Sequence, residues 1–139
     1  MVNPEYKHSQ LTSEILRTFF DVYNKLGYGF LEKVYENALA FALRKQGYKV
    51  EQQLAIKVFY EGCIVGEYFA DILINDIVIV EIKVASEIAK IHEMQLVNYL
   101  KATGKEIGLL LNFGPKAECR RKIYELRQHK DDQVESINE

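Results

Sequence analysis

Three ionisable side chains lie in stretches that otherwise suit a protein interior: Asp71 within "YFADILI", and Glu81 and Lys83 within "DIVIVEIKV". A charge set among such neighbours is costly unless something compensates it. Residues two apart in a strand project from one face, so Glu81 and Lys83 emerge together. Two carboxylates with a lysine beside them suit a hard divalent cation, magnesium or manganese. Two acids also leave coordination positions for water and phosphate. The pair alone fits two other readings, an exposed edge of alternating charge or a buried ion pair. Asp71 in the preceding strand is what favours the metal.

The hairpin between the acids decides whether they can share a cation. A two-residue loop, Asn75-Asp76, sets Asp71 opposite Val80 and sends Glu81 through the other side of the sheet. A three-residue loop, Asn75-Asp76-Ile77, or a bulge sets Asp71 opposite Glu81. A shared site requires the second arrangement.

The surrounding elements follow from periodicity. Leu11, Ile15, Phe19, Val22 and Leu26 recur at helical steps up to Gly27, and a second helix is expected over 30–46. Leu31, Val34, Tyr35, Ala38, Leu39 and Ala42 would form its apolar face. Leu54, Ile56, Val58 and Tyr60 alternate as in a strand, and strands over 63–74 and 77–84 should follow. Helix resumes with Ser86 as the expected N-cap and Gly104 as the stop, and "IGLLLNF" reads as a strand buried on both faces. The segment "PKAECRRKIYELRQHK" fits either a helix or a strand. The order α-α-β-β-β-α-β, with room for one more element, describes an α/β fold with a central mixed sheet flanked by helices.

Four more residues could serve the site. Gln95 and Tyr99 share one helix face, with His92 one turn earlier. Glu32 stands three residues after Gly29 and three before Tyr35. Each also fits a plainer role as solvated helix or core.

At 139 residues the chain is expected to form a single domain over 11–129, with residues 1–10 loose and an acidic tail, 130–139, frayed. A net charge of −2 gives no general attraction for nucleic acid, so a polyanion partner needs a local basic surface or a metal. Arg120, Arg121, Lys122, Arg127 and Lys130 form the main positive cluster, either a phosphate-tracking face or balanced surface charge. Cys63 and Cys119 lie far apart with no metal-binding spacing, and no segment is long and apolar enough for a membrane span. A cytoplasmic protein with reduced thiols is expected.

Asp71, then Glu81-x-Lys83, then Gln95-x-x-x-Tyr99 resembles the PD-(D/E)xK nuclease superfamily, specifically its RecB-like branch with the QxxxY helix. "GFLEKVY", residues 29–35, resembles the motif of the GxxExxY protein family within it. Ala70 stands where the "PD" proline would be. The resemblance spans roughly residues 11–115 and implies a restriction-endonuclease-like core. It implies a nuclease dependent on magnesium or manganese that hydrolyses nucleic acid, DNA ahead of RNA. Asp71, Glu81 and the main-chain carbonyl of Ile82 would hold the metal, with Glu32 binding directly or through water. Lys83 would orient the attacking water and offset charge at phosphorus. Gln95 and Tyr99, with Tyr35 and His92 in support, would position the site or the substrate. A homodimer is a further expectation. The alternative is a binding or interaction module of the same fold whose catalysis is weak or lost.

Overall fold

The computed structural model describes residues 8–125. Helices α1 (Ser9–Leu26) and α2 (Glu32–Lys45) precede strands β1 (Val50–Tyr60), β2 (Cys63–Ile74) and β3 (Val78–Lys83). Helix α3 (Lys90–Thr103) then leads to β4 (Ile107–Phe113) and β5 (Ala117–Ile123). The ambiguous last segment is therefore a strand as far as Ile123. Residues 1–7 and the acidic tail lie outside the described residues, and α1 already includes Ser9 and Gln10.

The five strands form one sheet in the order β1-β2-β3-β4-β5. Only β3 and β4 run parallel, joined by the α3 crossover, and all other neighbours are antiparallel. This is the α/β arrangement expected. Helices α1 and α2 cover one face, where Ile15, Phe19, Tyr35 and Leu39 pack on Ile72, Val80, Ile82 and Leu109. Helix α3 covers the other, where Leu96 and Leu100 pack on Leu73, Ile79 and Leu110. Strand β4 is buried along its whole length, as a central strand with helices on both sides must be. No helix among the described residues is long and apolar enough to cross a membrane.

Two expectations need correcting. The buried face of α2 is Tyr35, Glu36, Leu39, Ala40 and Leu43, while Leu31 is 80% exposed and Val34 is also exposed. The hydrophobic count rotated the helix because Leu31 precedes its first turn and Glu36 is buried by virtue of its partners. Ser86 does not cap α3, which begins at Lys90 after Ala89. There the His92 Nδ1 accepts the Ala89 N–H at 3.1 Å.

The β2–β3 register pairs Ile74 with Val78 and Ile72 with Val80, leaving the three-residue loop Asn75-Asp76-Ile77. Asn75 and Asp76 both have positive φ, a conformation that asparagine and aspartate tolerate well. Continued one step, this register sets Asp71 opposite Glu81.

Gly114, at the β4–β5 turn, is a point of backbone contact. A Cβ there would stand 1.9 Å from the Ala85 carbonyl oxygen, which cannot move aside as a flexible side chain could. Gly114→Ala is expected to destabilise the protein by about 3 kcal/mol, as overpacking against fixed atoms does. Urea unfolding checks it, and an unchanged midpoint would refute the contact.

Candidate active site

Strand β3 alternates between the two cores. Val78, Val80 and Ile82 face α1 and α2, whereas Ile79 faces α3. Glu81 and Lys83 share the parity of Ile79 and so belong to the α3 side. The Ile82 side chain is buried in the first core, so only its main chain can serve a site opposite.

Alternation in β1 and β2 breaks at Asp71. Ile72 and Ile74 lie in the first core but Ala70 in the second, although all three numbers are even. Gln53 stands across from Asp71 at the one unpaired step of an otherwise continuous ladder from Val50 to Val58, and its φ is +56°. There the β1–β2 ribbon leaves β3. The Asp71 carboxylate fills the opening, with Oδ2 accepting the Ile82 N–H at 2.8 Å.

Glu81 is 7% exposed, and its Oε1 is buried without a hydrogen-bond partner. Burial, then the charge of Asp71 and a hydrogen bond with it, pushes its pKa up to about 9, against an opposing pull from Lys83. Glu32, in the first turn of α2, is also raised. Partial shielding is the main cause, Lys83 opposes it, and Asp71 and Glu36 add to it. The Tyr99 phenol is raised by burial and by the charges of Glu81 and Asp71. Thus Glu32 from α2, Asp71 from β2, Glu81 and Lys83 from β3 and Tyr99 from α3 share one electrostatic neighbourhood.

Other expected residues lie around this neighbourhood rather than in it. Gln95 is exposed and lines a cleft beside Tyr99. Tyr35 is wholly buried, stacked on Phe113 at 4.5 Å between ring centroids. Its hydroxyl donates to the Gly27 carbonyl and accepts the Phe30 N–H at 3.2 Å, securing the α1–α2 turn that presents Glu32. It supports the site through that turn and is too buried to touch substrate. His92 works at the start of α3, as described above. In the basic cluster, Lys122 pairs with Glu93 at 2.6 Å and Arg120 with Glu118 at 3.9 Å, the pattern of balanced surface charge. Arg127 and Lys130 lie outside the described residues.

Three residues were not anticipated. Glu36, one turn after Glu32, is buried and accepts from Lys33, Gln52 and Gln53 at 3.2, 2.7 and 2.8 Å. The same Gln53 amide reaches Asp71 Oδ1 at 3.4 Å and so links the two acids. The spacing of Glu36 from Glu32 was a usable signal; nothing in the sequence marks Gln53. Asn112, 0% exposed, is the sole polar side chain in "IGLLLNF", and such a group must have partners. It pairs in register with Lys83, and its amide accepts the Ala85 N–H at 2.9 Å and donates to the Ala85 carbonyl at 3.0 Å. This clamp fixes the chain as it leaves Lys83. Asn112→Ala would strand both groups, with an expected loss of about 2–4 kcal/mol in urea unfolding and reduced activity. Unaltered stability would mean that the clamp is dispensable.

Among the described residues no three His, Cys, Asp or Glu side chains are grouped closely enough to form a ready-made metal cage. The donors nevertheless suit a divalent cation. The carboxylates of Asp71 and Glu81 offer hard oxygen donors, and the unpartnered Oε1 of Glu81 is a buried acceptor that a cation would satisfy.

Residues 9–122 match the family model of the PD-(D/E)XK nuclease superfamily. Among solved structures, an alkaline exonuclease from Laribacter hongkongensis is similar at a TM-score of 0.52 and 15% identity. The match covers 74% of this chain but only 61% of the exonuclease. The structure of SSO0001 is similar at a TM-score of 0.51 and 17% identity, over 94% of this chain and 70% of that one. No curated protein matches significantly. At such identities the two structures support the fold alone.

Proposed function

The chain belongs to the PD-(D/E)XK nuclease superfamily, and we propose that it is a magnesium- or manganese-dependent nuclease that hydrolyses phosphodiester bonds, DNA ahead of RNA. The observation that carries this reading is the buried, unpartnered Oε1 of Glu81 beside Asp71. A core strand holds such an oxygen at a free-energy penalty that an apolar residue would avoid.

Asp71 and Glu81 would hold the cation, with the Ile82 carbonyl and Glu32 as further oxygen donors. When bound, the cation would supply Lewis acidity and charge compensation at the phosphodiester. Lys83 lies near enough to oppose the upward shifts of both Glu81 and Glu32. Its ammonium can orient the attacking water and offset charge developing on phosphorus. Tyr99, its phenol pushed up by burial and then by the neighbouring acids, can donate a hydrogen bond to a phosphate oxygen. Tyr99 lies on α3, near enough to Glu81 and Asp71 for their charges to act on its phenol.

Within the superfamily, Gln95-x-x-x-Tyr99 supports the RecB-like branch, and Gly29, Glu32 and Tyr35 support the GxxExxY family. The free thiols Cys63 and Cys119 agree with a cytoplasmic setting. The expectation of a homodimer rests on the resemblance alone.

The test is hydrolysis of labelled DNA and RNA, single-stranded and duplex, in magnesium, manganese or chelator. Cleavage that needs a divalent ion and stops with chelator is the expected result. Binding without cleavage in either metal would instead favour a module whose catalysis is lost.

A further inference from the structure

We propose that the cleft between the β1–β2 ribbon and α3 receives an unpaired nucleotide of the substrate, with its base stacked on Tyr68 and its phosphates held by Lys57 and Lys101. This rests on the nuclease reading and names the form of nucleic acid the site accepts.

The cleft has a volume of about 580 Å³, within the range of pockets that bind small molecules. Phe59 and Tyr68 from the ribbon, Gln95 and Tyr99 from α3, and the two lysines are among its lining residues. Among the described residues no carboxylate lines it, in contrast to the acidic site that Tyr99 adjoins. It joins the catalytic neighbourhood through Tyr99, whose ring centroid lies 6.0 Å from that of Tyr68. Tyr68 is 51% exposed and Phe59 59% exposed, large apolar surfaces that no core uses. Both residues belong to the part of the ribbon that extends beyond Gln53 and has no pairing with β3.

Aromatic rings beside lysines are what a single strand needs. Every base has a face that can stack, and the lysines neutralise phosphate without selecting sequence. A base inside a duplex is covered on both faces by its neighbours and held by its pairing partner, so entering the cleft to stack on Tyr68 requires an unpaired nucleotide. The Gln95 amide adds a donor and an acceptor for a base edge.

The test uses fluorescence anisotropy with the full chain in calcium. The probes are a labelled oligothymidylate of about twelve nucleotides, an abasic chain of equal length and a blunt-ended hairpin duplex. Wild type should bind the oligothymidylate about tenfold more tightly than either other probe. Tyr68→Ala should remove that preference, Tyr68→Phe should keep it, and Phe59→Ala should weaken it. The Lys57→Ala, Lys101→Ala double variant should lower the salt-dependence slope by about two phosphate contacts. Circular dichroism confirms folding, and Phe59→Ala gives an independent reading should Tyr68→Ala not fold. Binding of oligothymidylate by folded Tyr68→Ala within about twofold of wild type, or equal affinity for the abasic chain, overturns the proposal. If chelator-sensitive cleavage persists in that case, the nuclease reading stands and only the cleft assignment falls. If wild type neither binds nor cuts any probe, both fall.

Discussion

Substituting alanine for Lys83 should reduce metal-dependent cleavage by about two to four orders of magnitude, the range seen when a positioned proton-transfer or charge-stabilising group is removed. The fold should tolerate the change, because Lys83 is the last residue of β3 and only half-buried. Asp71→Asn should have an activity loss of similar size for a different reason. The amide keeps an oxygen that can accept the Ile82 N–H, so the strand contact survives while the anionic ligand is lost. Single-turnover rates at saturating metal separate the two, since added manganese should recover part of the Asp71→Asn loss and none of the Lys83→Ala loss. If Lys83→Ala cuts at the wild-type rate, the assignment of Lys83 is wrong.

Glu81→Gln should abolish cleavage and yet stabilise the metal-free protein. The carboxyl lies at about 9 in the folded chain against 4.5 for the free group. A folded value above the unfolded one means that the unfolded chain releases this proton first as pH rises. The stability associated with protonated Glu81 is therefore full below about pH 4.5 and declines as pH rises towards 9. Glutamine resembles the protonated acid and does not titrate. At pH 8 the variant should thus exceed wild type by about 2–4 kcal/mol, and the gap should close near pH 4. Divalent cation should act in the opposite sense. At a hundred times its dissociation constant it should stabilise wild type by about 2.7 kcal/mol, and Glu81→Gln far less. Melting curves at several pH values, with and without magnesium, provide the measurement. A variant less stable than wild type at pH 8 would sink the account of Glu81 as a strained, unsatisfied acid.

The sequence revealed most where a residue's neighbours in the chain are also its neighbours in space. The period of α1 up to Gly27, the limits of β2 at Cys63 and Ile74, and the fully buried β4 are of this kind. The three-residue hairpin loop was also accessible, because a shared site for Asp71 and Glu81 requires it and the register supplies it. What was hidden depends on contacts distant in the chain. Glu36 counts as polar in any helical pattern, and its burial rests on Gln52 and Gln53 arriving from β1. The departure of the ribbon at Gln53 depends on a backbone conformation that glutamine does not advertise. Tyr35 sits in a recognisable motif, yet its ring is committed to Phe113 and its hydroxyl to the preceding turn. A motif identifies the residue but not which of its atoms remain available.

The hydrogen bond from the Ile82 amide to Asp71 makes one backbone proton a witness to the site. Amides in the ladders around it, such as those of Val80 and Leu110, exchange with solvent chiefly when the sheet itself opens. The Ile82 amide has a side chain as its acceptor, so a motion that draws Asp71 away exposes it while the sheet stays closed. Its exchange rate therefore times the opening of the acidic centre, separately from the unfolding of the protein that holds it.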